Sequence, residues 1–238
     1  MTLLDYPDKT ACTLFTVGCD FACPYCQNAS LIGSRGTGFV LHNEAQNLSP
    51  CFDALAFLNS RRGLLDGVCI SGGEPLLHED LGSFIEMVKE AGFLVKLDTN
   101  GSCPERLLKL IEEGKIDYIA MDIKNTPEKY AQTTGSIKFD ISPIRESIDL
   151  IVSCSIPYEF RTTVVKEFHT GEDLLSIAKW ISDAGGNKKP DTIKYFLQKF
   201  IDSENVLQRG LSGYSDEEMR QFIDKIRKIL PLAELRGT

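Results

Sequence analysis

What most limits the fold of this chain is its rhythm: short apolar, β-rich runs alternate with longer stretches of helical period. "ACTLFTV" (11–17), "GVCIS" (67–71), "FLVKLDT" (93–99), "DYIAMDIK" (117–124), "EFRTTVV" (159–165) and "TIKYFLQKF" (192–200) read as six strands. Between and after them come helical stretches. One runs from Ser49 and Pro50 to Gly63, then 79–92, 104–114, a Ser-Pro start at 142–154, 172–186 and an amphipathic 215–230 with an acidic first turn. Alternation of this kind implies parallel strands joined by right-handed helical crossovers. Eight such units would close a barrel. Six predict an α/β chain of the incomplete (βα)6, partial TIM-type barrel kind with parallel strands, read as a single domain over 1–238. Functional groups in such folds gather where strands end, in the loops on their carboxyl side.

The loop after the first strand carries the most pointed chemistry. "GCDFACPYCQN" (18–28) sets Cys19, Cys23 and Cys26 at C-x3-C-x2-C spacing, one ligand short of a closed metal site. Eight cysteines in a chain of 238 residues without a secretory signal point to metal or redox chemistry rather than to disulfides. Cys12, Cys51, Cys69, Cys103 and Cys154 are scattered singly and read as small core or surface residues. Thiolates favour zinc or an iron–sulfur cluster, and no second C-x2-C or H-x3-H follows to complete a zinc ribbon. His42, His78 and His169 lie far apart and read as surface or loop residues. Three thiolates on one loop can hold three irons of a [4Fe–4S] cube, leaving the fourth open, and an open position is what separates catalytic from structural sites.

The other strand ends add polar groups. "SGGEP" (71–75) offers Gly72 and Gly73, where backbone can come close to a ligand, and Glu74 as an anionic acceptor for an ammonium group. "DTNG" and "MDIK" place Asp98, Asp122 and Lys124 at the third and fourth strand ends. Arg161 on the fifth suits a carboxylate, and Gln198 near the end of the sixth is a hydrogen-bonding group.

Composition removes some partner classes. A formal charge of -8 argues against nucleic acid held by phosphate neutralisation. No apolar run approaches the roughly 20 residues that span a bilayer. "MTLLDYPDKTACTLF" lacks a basic n-region and a small-residue cleavage site, so the cytoplasm is the expected location.

The three-cysteine motif with Tyr25 before its last cysteine, followed by "GGEP", resembles the radical S-adenosylmethionine superfamily. Within it, "LLDYPDKTACTLFTVGC" and "CPYCQN" are similar to the activating proteins of anaerobic ribonucleoside-triphosphate reductase, and "DTNG" with "MDIK" also to pyruvate formate-lyase activating enzymes. The chain departs from many such activases in having Gln27 where they have histidine.

The resemblance implies that Cys19, Cys23 and Cys26 ligate a [4Fe–4S] cluster and that S-adenosylmethionine fills the open iron. By the same resemblance Tyr25 contacts the adenine, and Gly72, Gly73 and Glu74 receive the methionine amino group. Lys124 and Arg161 then serve the carboxylate and ribose side, with Asp122 and Gln198 close by. Asp98, Thr99 and Asp122 match the ligands of a monovalent cation, with a backbone carbonyl near Ala120. The implied reaction is reductive cleavage of S-adenosylmethionine and abstraction of a glycine Cα hydrogen from a partner glycyl radical enzyme, anaerobic ribonucleotide reductase above all. A flavodoxin or ferredoxin would supply the electron. Residues 29–48 and 201–214 are the segments expected to recognise the target. Two rivals stay in view: a radical enzyme acting on a small molecule with Thr162, Lys194 and Gln198 lining its interior, and a zinc- or cluster-binding interaction module without catalysis.

Overall fold

A computed structural model of the chain describes residues 5–32, 39–41, 51–136, 139–184 and 190–237. It divides into two compact units. The first comprises Met1–Asp20, Ser30–Thr99 and Glu105–Ala120; the second comprises Phe21–Ala29, Asn100–Pro104 and Met121–Thr238.

In the first unit β1 (Ala11–Thr16), β3 (Gly67–Gly72) and β4 (Leu94–Thr99) run parallel, with Ala11 opposite Gly67 and Gly67 opposite Leu94. Val68, Cys69 and Ile70 are all buried, the unbroken apolar pattern of a parallel strand covered on both faces. A short β2 (Phe39–Leu41) pairs antiparallel with β1. Helix α1 (Ala29–Ile32) follows the cysteine loop, and α2 (Cys51–Asn59) precedes β3. Helix α3 (Leu81–Glu90) buries Leu81, Phe84, Ile85 and Val88, the stripe its spacing predicts. Helix α4 (Pro104–Glu112) opens on the proline, whose missing N–H costs nothing at a helix start.

Strand β5 (Tyr118–Asp122) runs from the first unit into the second. The second unit then places β6 (Tyr158–Val164), β7 (Tyr195–Lys199) and β8 (Ala233–Arg236) in parallel register, Phe160 opposite Tyr195 and Tyr195 opposite Ala233. Its helices are α5 (Tyr130–Thr134), α6 (Ser142–Ser153), α7 (Gly171–Ala184) and α8 (Asp216–Ile226). The strand order is β2-β1-β3-β4-β5-β6-β7-β8, so each parallel strand lies beside its predecessor, as the βα rhythm requires.

All six strands expected from the sequence are present, and two more were not foreseen. Strand β8, "AELR", alternates apolar and polar residues but is only four residues long, too short for the alternation to stand out. Charge reinforces it: Arg236 forks onto the fully buried Glu159 at 2.7 and 2.8 Å and stacks over Phe196 at 3.7 Å. The helix starts differ in detail. Ser215 and Glu218 form a reciprocal capping box on α8. At α6 the N-cap position is Ile141, which makes no side-chain cap bond, and the Ser142 N–H donates instead to Asp140 at 2.9 Å. The Ser49-Pro50 helix start and most of the 29–48 segment lie outside the described residues. Among the described residues no helix is long and apolar enough to cross a membrane.

Candidate functional site

The cysteine loop begins in the first unit. After β1 the Gly18 N–H donates to Leu31 O at 2.7 Å, and the loop start is gripped by the end of β3. Gly73 N donates to Thr16 O at 2.9 Å and Glu74 N to Gly18 O at 2.8 Å. Here the glycines are obligatory. Gly72 has φ +116, and a Cβ on either Gly72 or Gly73 would fall inside the backbone of Thr16 or the carbonyl of Gly18. The "GGE" sequence therefore seats the cysteine loop through its backbone.

Glu74 has a local task as well. It is fully buried, and its Oε1 accepts the Leu76 N–H at 3.0 Å and the Thr99 hydroxyl at 2.8 Å. That ties the ends of β3 and β4 together and caps the turn at Pro75–Leu77. Cys19, half-buried, has its Sγ 3.9 Å from Asp20 Oδ1. His78 is a structural group, bonded to Val17 O at 2.8 Å. Asp98 is ion-paired with Lys96, two residues earlier on β4.

The remainder of the loop belongs to the second unit. Phe21 is buried against Tyr130 and Phe139, and Ala22 N donates to Thr134 O at 2.9 Å. Cys26 N donates to Cys23 O at 2.9 Å, closing the C-x2-C turn. A strap after β7 then braces this turn: Leu207 N donates to Cys26 O at 3.1 Å, Gln208 N to Pro24 O at 2.8 Å, and Gln27 Nε2 to Ile201 O at 3.1 Å. Part of the segment expected to recognise a target thus also holds the cysteines.

Cys23 is buried, and burial pushes its thiol up to about 11, although Lys124 pulls the other way. Tyr25 is 4% exposed and packs near Phe168 and His169. Burial holds its hydroxyl well above the usual phenol range, and that oxygen has no hydrogen-bond partner. Leaving a buried hydroxyl unsatisfied costs about 1–3 kcal/mol, so a ligand group that bonds to it would be favoured.

At the end of β5, Asp122 is clasped by two cations, Arg161 Nε at 2.8 Å and Lys124 Nζ at 3.1 Å. Burial alone would raise its carboxyl; Arg161 and Lys124 outweigh that and hold it far below the usual carboxylate range. Lys124 is set from three sides. Its N–H donates to Tyr130 Oη at 3.3 Å, its carbonyl accepts from His169 Nε2 at 2.8 Å, and its ammonium reaches Asp122. His169, expected in a loop or at the surface, lies in the loop after β6 but is fully buried and structural. Nothing in its sequence neighbourhood marks it; only the packing of the "EFHT" turn under β5 does.

Gln198 accepts the Thr163 hydroxyl at 3.4 Å. Thr162 is buried and fully used, donating to Ile123 O and accepting from Tyr195, while Lys194 is exposed. The small-molecule lining expected from those residues is therefore reduced to Gln198.

The donor chemistry fits a cluster and its sulfonium cofactor: three cysteines in no disulfide on one loop, a buried tyrosine hydroxyl without a hydrogen-bond partner, and an Arg161–Asp122–Lys124 triad of net positive charge. Among the described residues no group of three His, Cys, Asp or Glu converges on one metal ion. A cube does not ask for that, because each thiolate takes a different iron.

A parallel α/β chain with an open three-thiolate loop after its first strand defines a class, the enzymes that carry a metal cluster with a vacant coordination site. Comparison with known proteins makes the class specific. The Radical SAM superfamily pattern matches residues 13–181. A protein of Methanocaldococcus jannaschii named "putative glycyl-radical enzyme activating enzyme" is 34% identical over 190 residues, 77% of this chain and 73% of that one. The pyruvate formate-lyase-activating enzyme of Listeria monocytogenes is 27% identical over 194 residues, 76% of this chain and 73% of its own. Among solved structures, Streptococcus suis SuiB bound to S-adenosylmethionine shares the fold with a TM-score of 0.70 at 11% identity, over 96% of this chain and 50% of SuiB, so the chain spans about half of that structure. The chain belongs to the radical SAM superfamily. It is an enzyme, with a [4Fe–4S] cluster and S-adenosylmethionine as cofactors.

Proposed function

We propose that this enzyme is a glycyl-radical-enzyme activase, working on a partner protein in the cytoplasm and most specifically on anaerobic ribonucleotide reductase. The reading is carried by the 34% identity to the M. jannaschii protein over nearly three quarters of that relative's length. It is supported by the Listeria match, and Thr162, expected to line a small-molecule site, is already bonded to Ile123 and Tyr195. A flavodoxin- or ferredoxin-type protein is the matching reductant.

When bound, the cluster and S-adenosylmethionine supply the one-electron chemistry of hydrogen abstraction. The chain's residues prepare for it. Cys19, Cys23 and Cys26 hold three irons as thiolates. Because burial keeps the free Cys23 thiol protonated up to about pH 11, loading releases its proton and tightens as pH rises. The strap bonds to Cys26 O and Pro24 O fix the turn before any iron arrives. Tyr25 gives its idle hydroxyl and ring to the adenine. The carbonyls of Gly72 and Gly73, with Glu74 behind them, receive the amino group. The Arg161–Asp122–Lys124 triad carries net charge +1 (two cations less one anion), which suits the methionine carboxylate, and Gln198 orients the ribose side.

The deciding experiment mixes cluster-loaded, dithionite-reduced protein and S-adenosylmethionine with a candidate glycyl radical enzyme under strict anaerobiosis. The expected result is a glycyl doublet in the electron paramagnetic resonance spectrum of the partner, lost with Cys23→Ala, which also loses the brown colour. Turnover of a small metabolite with no protein radical overturns the activase reading. In the same assay Glu74→Gln, which keeps an acceptor for Leu76 and Thr99, weakens cofactor binding while iron content stays normal.

A further inference from the structure

The positions expected to share a monovalent cation do not fit one. Asp98 is paired with Lys96, whose side chain is only 1% exposed while the carboxylate is 13% exposed. The two lie on the same face of β4 because strand side chains alternate. The ammonium is enclosed by the chain itself, with its Nζ 3.8 Å from Cys69 Sγ and 6.0 Å from the centre of the Tyr118 ring. Thr99 donates its hydroxyl proton to Glu74 and brings no charge of its own. Asp122, for its part, is clasped by Arg161 and Lys124.

The charge count decides the matter. Asp98 with Lys96 sums to zero (one anion, one cation), and Asp122 with Lys124 and Arg161 sums to +1 (one anion, two cations). A potassium or sodium ion brought to the first meets an anion already paired with a buried ammonium, and at the second it meets two resident cations. At both places the aspartate that would hold a monovalent ion already has a cationic side chain of the chain as its partner.

We infer that the chain carries its own cation: the buried Lys96 ammonium takes the place of a bound monovalent metal ion at Asp98, and the enzyme binds its cofactor independently of sodium and potassium. This assignment does not depend on the identity of the target protein. It is tested on cluster-loaded protein at constant ionic strength in KCl, NaCl or choline chloride. Wild-type affinity for S-adenosylmethionine, followed by titration, and the thermal midpoint are expected to be the same in all three salts. Allosteric couplings between ligands usually run from about 5- to 150-fold, so a saturable gain of about 5-fold or more on adding potassium or sodium overturns the inference.

Lys96→Met exposes the carboxylate to whatever cation is in solution. It is expected to melt lower than wild type in choline chloride and to recover part of the loss in KCl or NaCl. Lys96→Met combined with Asp98→Asn is expected to lose that salt specificity. A Lys96→Met protein that responds to potassium and sodium no more than wild type does overturns Lys96 as the resident charge. Should that variant fail to fold, the wild-type titration still decides the claim.

Discussion

In the first unit the strand ends are held by backbone fitted to backbone. Gly72 and Gly73 lie so close to Thr16 and Gly18 that no side chain fits, and the Lys96–Asp98 ion pair at the end of β4 is internally neutral. The second unit is organised by side-chain charge. Asp122 sits between two cations, and Lys124 is positioned through its N–H, its carbonyl and its ammonium. The difference teaches a division of labour. The start of a loop that must offer thiolates needs a rigid steric seat, whereas a zwitterionic cofactor needs a field that favours its carboxylate. Each unit should then fail in its own way when altered.

The largest effect is expected at the steric seat. Gly73→Ala drives a methyl group into the Gly18 carbonyl and should cost about 3 kcal/mol, the upper range for overpacking a rigid site. Its iron content after reconstitution should collapse. Gly63→Ala is the control: its φ is +79, but no atom lies within 4 Å of the added Cβ, so only the backbone penalty of about 1 kcal/mol applies. Equal losses in the two variants, read by urea denaturation, would break the claim that close approach is what the "GGE" sequence serves.

Charge in the second unit comes next. Asp122→Asn leaves Arg161 and Lys124 facing each other without their anion. The cost should be about 2 kcal/mol, less than the ~3–5 for breaking a wholly buried pair, since 31% of the Asp122 side chain is exposed. Iron content should stay normal, and that contrast with Gly73→Ala sharpens the division. Parallel loss of iron in Asp122→Asn would blur it.

These two regions were not equally legible in the sequence. The six strands could be read because parallel strands buried on both faces are continuous apolar runs, and the cysteine spacing stands out wherever it occurs. Strand β8 was hidden because four residues are too few for an alternation to stand out, and the Arg236–Glu159 pairing that reinforces it, 77 residues apart in the chain, leaves no local trace. The glycines at 72 and 73 could be seen as points of close approach, but what approaches, the loop backbone and not only a ligand, depends on the register of β1 with β3. Lys96 read as one more strand residue, since alternation does not say that an ammonium will be enclosed beside Asp98. The strap bonds to Cys26 and Pro24 were invisible for another reason: they join backbone groups, which every residue possesses.

That strap gives a smaller expected effect. Gln27→Ala removes the side-chain bond to Ile201 O and should cost about 1 kcal/mol. It should also speed hydrogen exchange at the Leu207 and Gln208 amides, which brace the cysteine turn, while the Leu76 amide in the first unit exchanges as before. Unchanged exchange at Leu207 and Gln208 would mean that the strap holds without Gln27.

The smallest effect concerns pH and sets the second unit's buried histidine against its charges. His169 accepts the Val165 N–H on Nδ1 at 3.1 Å and donates from Nε2 to Lys124 O at 2.8 Å, an arrangement of the neutral ring. Burial lowers its pKa, and nearby Lys129 works the same way, while Asp173 and the bonds to Lys124 and Val165 oppose them. The sign follows from proton counting. Unfolded, the ring takes a proton near about pH 6.5, but folded it resists, so below that pH the unfolded chain binds more protons and is favoured. The stability that His169 contributes is thus complete above about pH 6.5 and declines as the solution is acidified through and below it. Wild type should exceed His169→Gln in urea midpoint at neutral pH, and the gap should narrow as pH falls below 6.5, roughly the unfolded histidine value. Subtracting the variant cancels the acid response common to both chains, including that of Asp122, whose depressed carboxyl stays ionised in this range. A gap that stays constant would mean the ring keeps its ordinary proton affinity, and the positioning of Lys124 through its carbonyl would then not depend on a neutral His169.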